Sequence, residues 1–251
     1  MKAWIAFLLA SVSVPTIAPA ADPPAPAVQF VVGNAVWQPG QRYRSSPAWL
    51  ALKCIGTGCR FEPARLVVRT TSWQGQYDDA PTAGQTLTFH PAKPGNGKVV
   101  AWFRANAAVP WLAPGPVTTY ASTATRVARP ASEGTLEVAV DLPDGVRATL
   151  VPLLDRANGS FHLQLRMPEQ RQLLGPLGAC SGRVSTDYFL WAGDLDRDGR
   201  PDFLISFVDA DGQVVLYLSG AARVPEIAGT AGAFDAPPFG GECDGGGWAP
   251  P

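Results

Sequence analysis

The sequence predicts an all-β protein, an antiparallel sandwich or meander in two β-rich regions with little helix. Three observations carry this expectation. Glycine and proline supply 26 and 25 of the 251 residues, and they are the two poorest helix formers. Several segments alternate apolar and polar residues with the period of two that a half-buried strand needs. Asp-Gly and Asn-Gly pairs separate some of those segments, and they suit type I′ hairpin turns, whose two central residues both take positive φ. Hydrophobic residues reach 46 % and charged residues only 16 %, which excludes a disordered, highly charged chain. The formal charge of -1 argues against a nucleic-acid partner.

Taken in order, residues 1–20 read as a signal peptide. Lys2 is the positive start, Trp4 to Leu9 the apolar stretch, and Ala18-Pro19-Ala20 the small-x-small cleavage site. The apolar run is shorter than the roughly 20 residues of a spanning helix. No later stretch is long and apolar enough to span a membrane. The expected product is periplasmic or secreted. Losing Lys2 leaves 19 basic against 21 acidic residues, a formal charge of -2.

The next region, residues 21–130, mixes apolar runs with turn clusters. Strands are expected at Gln29–Val32, Arg65–Thr71, Thr86–His90 and Lys98–Arg104, with turns at Pro39-Gly40 and Pro94-Gly95-Asn96-Gly97. Arg129 to Gly134 reads as a connector. Residues 131–251 show cleaner alternation. Leu136, Val138, Val140 and Leu142 share one strand face, and Phe161, Leu163, Leu165 and Met167 share another. Further strands are expected at Thr149–Leu154, Asp187–Ala192, Asp202–Val208 and Gln213–Ser219. Pro152 points to an edge or bulge. Glu169 to Leu174 is the single stretch read as a short helix. No repeat of fixed period appears, which argues against a propeller or solenoid within this chain.

Four cysteines, Cys54, Cys59, Cys180 and Cys243, suit an oxidising compartment. They allow three pairings, of which Cys54–Cys59 with Cys180–Cys243 is favoured. A four-thiolate zinc site is the alternative, but the paired CxxC spacings are missing.

The most specific signal is Gly193-Asp194-Leu195-Asp196-Arg197-Asp198-Gly199-Arg200-Pro201-Asp202. Counted from Asp194, carboxylates fall at positions 1, 3, 5 and 9, and glycine falls at position 6. A calcium loop uses this spacing, with a backbone carbonyl, here that of Arg200, at position 7. Asp194, Asp196, Asp198, Asp202 and the Arg200 carbonyl are the expected ligands. Calcium fits better than magnesium, which keeps its waters and demands octahedral geometry. A solvated Asp/Gly turn is the alternative, with Arg197 and Arg200 offsetting part of the repulsion. Asp209 and Asp211 read as turn formers.

Position 12 is Ile205 instead of the EF-hand glutamate, and the flanks look like strands. Gly193 to Phe203 instead resembles, position by position, the calcium loops of FG-GAP and VCBS-type repeats. Those loops join two strands in integrin-like propellers and many secreted bacterial proteins. The resemblance covers Tyr188 to Ser219 in one copy and implies calcium as the ligand. The chain as a whole also looks like exported bacterial proteins of uncharacterised activity that end in such a loop.

Other signals are weaker. His90 and His162 are the two histidines and read as structural. No GxSxG, HExxH or Walker sequence is present. Asp78-Asp79 is a poor candidate for paired glycosidase acids, since chain neighbours usually point apart. The tryptophans after the signal, among them Trp37, Trp49, Trp102 and Trp191, read mostly as core. The function expected is calcium-stabilised structure or interaction, with a cell-surface glycan or another exported protein as partner. An exported hydrolase acting on polysaccharide or peptide is the alternative.

Overall fold

A computed structural model describes residues 28–74, 79–91, 96–131, 135–178, 184–207 and 212–236. Among them the chain is all β apart from one 3-10 turn, Ser219–Ala221. The strands are β1 (Phe30–Val31), β2 (Val36–Pro39), β3 (Ser46–Ile55), β4 (Gly58–Trp73), β5 (Thr82–His90), β6 (Lys98–Arg104), β7 (Gly115–Ser122) and β8 (Val127–Pro130). There follow β9 (Leu136–Asp141), β10 (Arg147–Asp155), β11 (Ser160–Arg166), β12 (Arg171–Leu177), β13 (Phe189–Asp194), β14 (Asp202–Phe207), β15 (Gln213–Leu218) and β16 (Gly229–Asp235).

Every pairing is antiparallel. The larger sheet runs β1-β6-β3-β4-β7-β13-β14-β15-β16, with β5 and β2 branching from the far half of β4. It nearly closes on itself, because the Val28 amide beside β1 donates to the Ala231 carbonyl of β16 at 2.7 Å. The smaller sheet is a five-strand meander, β12-β11-β10-β9-β8. Sheet membership does not divide at residue 130: β8 opens the smaller sheet, and β13–β16 extend the larger one from β7.

Two cores result. The first lies within the larger sheet. Phe30 packs on Phe103 and Phe234, and Phe61 packs on Phe103. Trp191, Leu204 and Leu216 join that core. The second lies between the sheets, where Val138, Leu150, Leu163 and Leu165 meet Phe189, Phe203, Ile205 and Tyr217. Successive side chains of a strand point to opposite faces. Strands β14 and β15 therefore feed both cores in alternation, Leu204 and Leu216 to the first, Phe203, Ile205, Val215 and Tyr217 to the second. Trp37, Trp49, Trp102 and Trp191 are buried, as expected of core tryptophans.

Two expectations are corrected. Glu169 to Leu174 is not a helix. Its residues are good helix formers, but β12 begins at Arg171 and pairs with β11 as an edge strand; tertiary pairing overrides local propensity. The connector at Arg129 is likewise partly strand, with Arg129 opposite Glu137.

Cys54 and Cys59 are cross-strand partners at the β3–β4 turn and form a disulfide. The neighbouring strand ends run on from there. Cys59 lies opposite Val117, Thr118 opposite Asp194, Gly193 opposite Asp202, and Leu218 opposite Gly229. One end of the nearly closed sheet therefore carries the disulfide hairpin, the aspartate-rich loop and the Ser219 turn together.

Candidate metal centre

The β13–β14 connection, residues 195–201, begins and ends on strands buried on both faces. Gly199 sits at φ 81°, where glycine alone is unstrained. Ile205, at the position an EF-hand reserves for its bidentate glutamate, is buried in the second core. Arg197 also takes a left-handed backbone, φ 65°.

Asp194, Asp196 and Asp202 converge. One carboxylate oxygen from each lies within 4.8 Å of the other two. Asp202 is the buried member, at 0 % exposure. Its Oδ2 accepts from the Leu195 amide at 2.6 Å and the Asp196 amide at 3.4 Å. Its Oδ1 accepts from the Ser219 amide at 2.8 Å, with the Ser219 hydroxyl oxygen 3.2 Å away. Burial pushes its carboxyl up to about 7, against the pull of those donors. Asp196 is also raised, by burial and then by the charge of Asp198.

Asp194 differs. Its Oδ2 accepts from the Gly199 amide at 3.2 Å. Its Oδ1 is buried and has no hydrogen-bond donor among the described residues. A buried acceptor without a partner costs about 1–3 kcal/mol, more when charged. A cation between these carboxylates removes that cost and their mutual repulsion. The donor set is all oxygen, which suits a hard cation such as calcium.

Asp198 is not in the converging group. Its carboxylate takes one hydrogen bond from the Ser219 hydroxyl, which lies 2.9 and 2.8 Å from its two oxygens. It also takes two from the Arg200 guanidinium, at 3.0 and 2.8 Å. Burial alone would raise this carboxyl; the Ser219 hydroxyl and Arg200 outweigh it and hold it below the usual range. The Arg200 guanidinium also reaches the Ser219 carbonyl at 3.1 Å. Of the four expected carboxylates, then, three come together, and the Asp198 carboxylate and the Arg200 side chain form the bracket beside them.

Sequence reading missed two partners. Ser219 follows β15, 17 residues after Asp202. A Cβ on Gly220 would lie 2.5 Å from Asp196 Oδ2, so only glycine leaves that carboxylate its place. The loop's field reaches β7 too: burial, then the charges of Asp194 and Asp202, hold the Tyr120 phenol above its ordinary value.

Neither histidine belongs to the converging group. His162 lies 3.3 Å from the Ser160 hydroxyl on β11, and His90 ends β5. Residues 1–20, Asp78, Cys180, Asp209, Asp211 and Cys243 lie outside the described residues. Among the described residues no helix is long and apolar enough to cross a membrane. Comparison with known proteins finds no matching family model, no significant match to a curated protein and no significant match to a solved structure.

Proposed function

We propose that this chain is an exported calcium-binding protein of structural or interaction type. One calcium ion is held by Asp194, Asp196 and Asp202 at the β13–β14 turn. The observation that carries the reading is the buried Asp194 Oδ1, without a donor among the described residues, inside a group of three carboxylates within 4.8 Å. The resemblance of Gly193–Phe203 to FG-GAP and VCBS-type loops supports calcium over other cations. The secretory pattern of residues 1–20 supports a compartment, periplasmic or extracellular, where calcium is available. The ion's role is to neutralise the carboxylates and lock the β13–β14 register, so that binding free energy becomes folding free energy.

The test is a calcium titration by calorimetry, with thermal melts in calcium and in chelator. The wild type is expected to bind one calcium and to melt higher in its presence. Asp196→Ala is expected to lose both effects. Superimposable wild-type melts in calcium and chelator refute the reading.

A further inference from the structure

The branch formed by β2, β5 and the far half of β4 has a face that the metal centre does not use. Val36, Leu66, Leu87 and Phe89 enter the first core, so their chain neighbours project from the opposite side. Register places Arg65, Arg69 and Trp73 of β4 on that outer side, with Thr86 and His90 of β5 and Trp37 of β2. Two contacts bear out the placement. The Thr71 and Thr86 hydroxyls lie 3.1 Å apart. The Trp37 ring lies over Gly84, where a Cβ would come within 2.6 Å of it, and meets the Trp73 ring with centroids 5.6 Å apart. Glycine at position 84 is what leaves room for this tryptophan pair.

The face carries charge of one sign. Arg65 and Arg69 are exposed, and neither makes an ion pair or hydrogen bond among the described residues. Glu62 is the one acidic residue of β2, β4 and β5. It shares the other face of β4 with Leu66 and pairs with buried Lys53. A chain of formal charge -1 thus keeps carboxylates off this surface. Arg65, Arg69 and Trp73 recur at every fourth residue of one strand. At about 3.3 Å per residue they mark a track roughly 26 Å long. A small molecule would touch one of these stations, and an extended polymer can touch all three.

We infer that this face binds an extended acidic polysaccharide, its carboxylates on Arg65 and Arg69 and one sugar ring against the Trp73 indole. A guanidinium takes a carboxylate through two parallel hydrogen bonds. A flat apolar indole covers the C–H face of a sugar ring. Two arginines about 13 Å apart along the strand suit a polymer whose charges are widely spaced. Duplex nucleic acid, with one charge about every 1.7 Å of its axis, calls for a denser basic surface. The inference gives the interaction role proposed above a class of partner, and it does not depend on the calcium ion.

The experiment titrates the protein by calorimetry, at one fixed calcium concentration, with three octamers. They are an alternating glucuronate and N-acetylglucosamine chain, neutral maltooctaose and octathymidylate. The acidic sugar is expected to bind, and maltooctaose to bind at least tenfold more weakly. The double variant Arg65→Ser with Arg69→Ser, both at exposed positions, is expected to lose at least tenfold in affinity for the acidic sugar. Trp73→Ala is expected to lose at least fivefold. Arg129→Ser, on exposed β8 of the smaller sheet, is expected to keep the wild-type affinity. Acidic-sugar binding that survives the double substitution, or is matched by maltooctaose, overturns the inference. So does a wild type that does not bind the acidic sugar. Octathymidylate binding as tight as the acidic sugar marks a general polyanion surface and overturns the polysaccharide assignment. Asp196→Ala is expected to bind the acidic sugar as the wild type does, so a failure of the calcium reading shows in its own titration and leaves this result standing.

Discussion

The two sheets bury their strands differently. In the smaller sheet β11 alternates buried and half-buried positions along its whole length. One face packs on the second core and the other looks outward. In the larger sheet β14 and β15 have almost no open position, because each lies between two cores. Antiparallel strands with one wet face show period-two patterning, whereas strands covered on both sides read as continuous apolar runs. The difference teaches where an aspartate-rich loop can be rigid. The aspartate-rich turn is anchored at both ends on the layer that has least freedom to move.

The largest effects should come from that layer. Phe203→Ala and Leu204→Ala are adjacent substitutions that open different cores. The first is expected to cost about 3–5 kcal/mol and the second about 2–5 kcal/mol in chemical denaturation. Leu173→Ala on β12, at 64 % exposure, should stay within about 0.5 kcal/mol. Equal costs at Phe203 and Leu173 would break the contrast.

Calcium removal comes next. At a hundredfold excess over Kd a ligand adds about 2.7 kcal/mol. In chelator, hydrogen exchange should quicken most at the Leu195, Asp196 and Ser219 amides and least in β9–β11. Uniform quickening across both sheets would show that the loop does not act on its own layer first.

The smallest effect sharpens the site itself. Gly220→Ala pushes a Cβ against Asp196 Oδ2. It is expected to weaken calcium binding at least fivefold while leaving the melt in chelator within about 2 °C, a shift of less than 1 kcal/mol for a chain this size. An unchanged calcium affinity would remove Gly220 from the site.

Much of this was legible in the sequence, for identifiable reasons. Strands β9, β10 and β11 announce themselves by alternation and by the turns at Gly145 and Gly159, both at positive φ. Strand β6 matches its expected bounds, Lys98–Arg104. Strand β3 was hidden because Pro47 stands near its start and Lys53, buried beside Glu62, breaks the apolar run. Strands β7 and β16 are rich in glycine, alanine and threonine, which carry little pattern. At the site, the DxDxDG spacing exposed the loop but not the division of labour within it. That division depends on Ser219, which reaches Asp198 across 21 residues. No local spacing encodes such a contact.

Asp202 has a consequence for how the motif can be used. Its carboxylate accepts from Leu195 and Asp196 on one oxygen and from Ser219 on the other. A peptide carrying residues 193–203 would contain every aspartate of the loop and lose the donors to Asp202 Oδ1. Grafted into another hairpin, it would leave that oxygen bare and Asp198 without the Ser219 hydroxyl. The loop is therefore not a portable cassette. During synthesis its last supporting residue leaves the ribosome two strands after Asp194 and Asp196, so the site is completed only once β15 has docked.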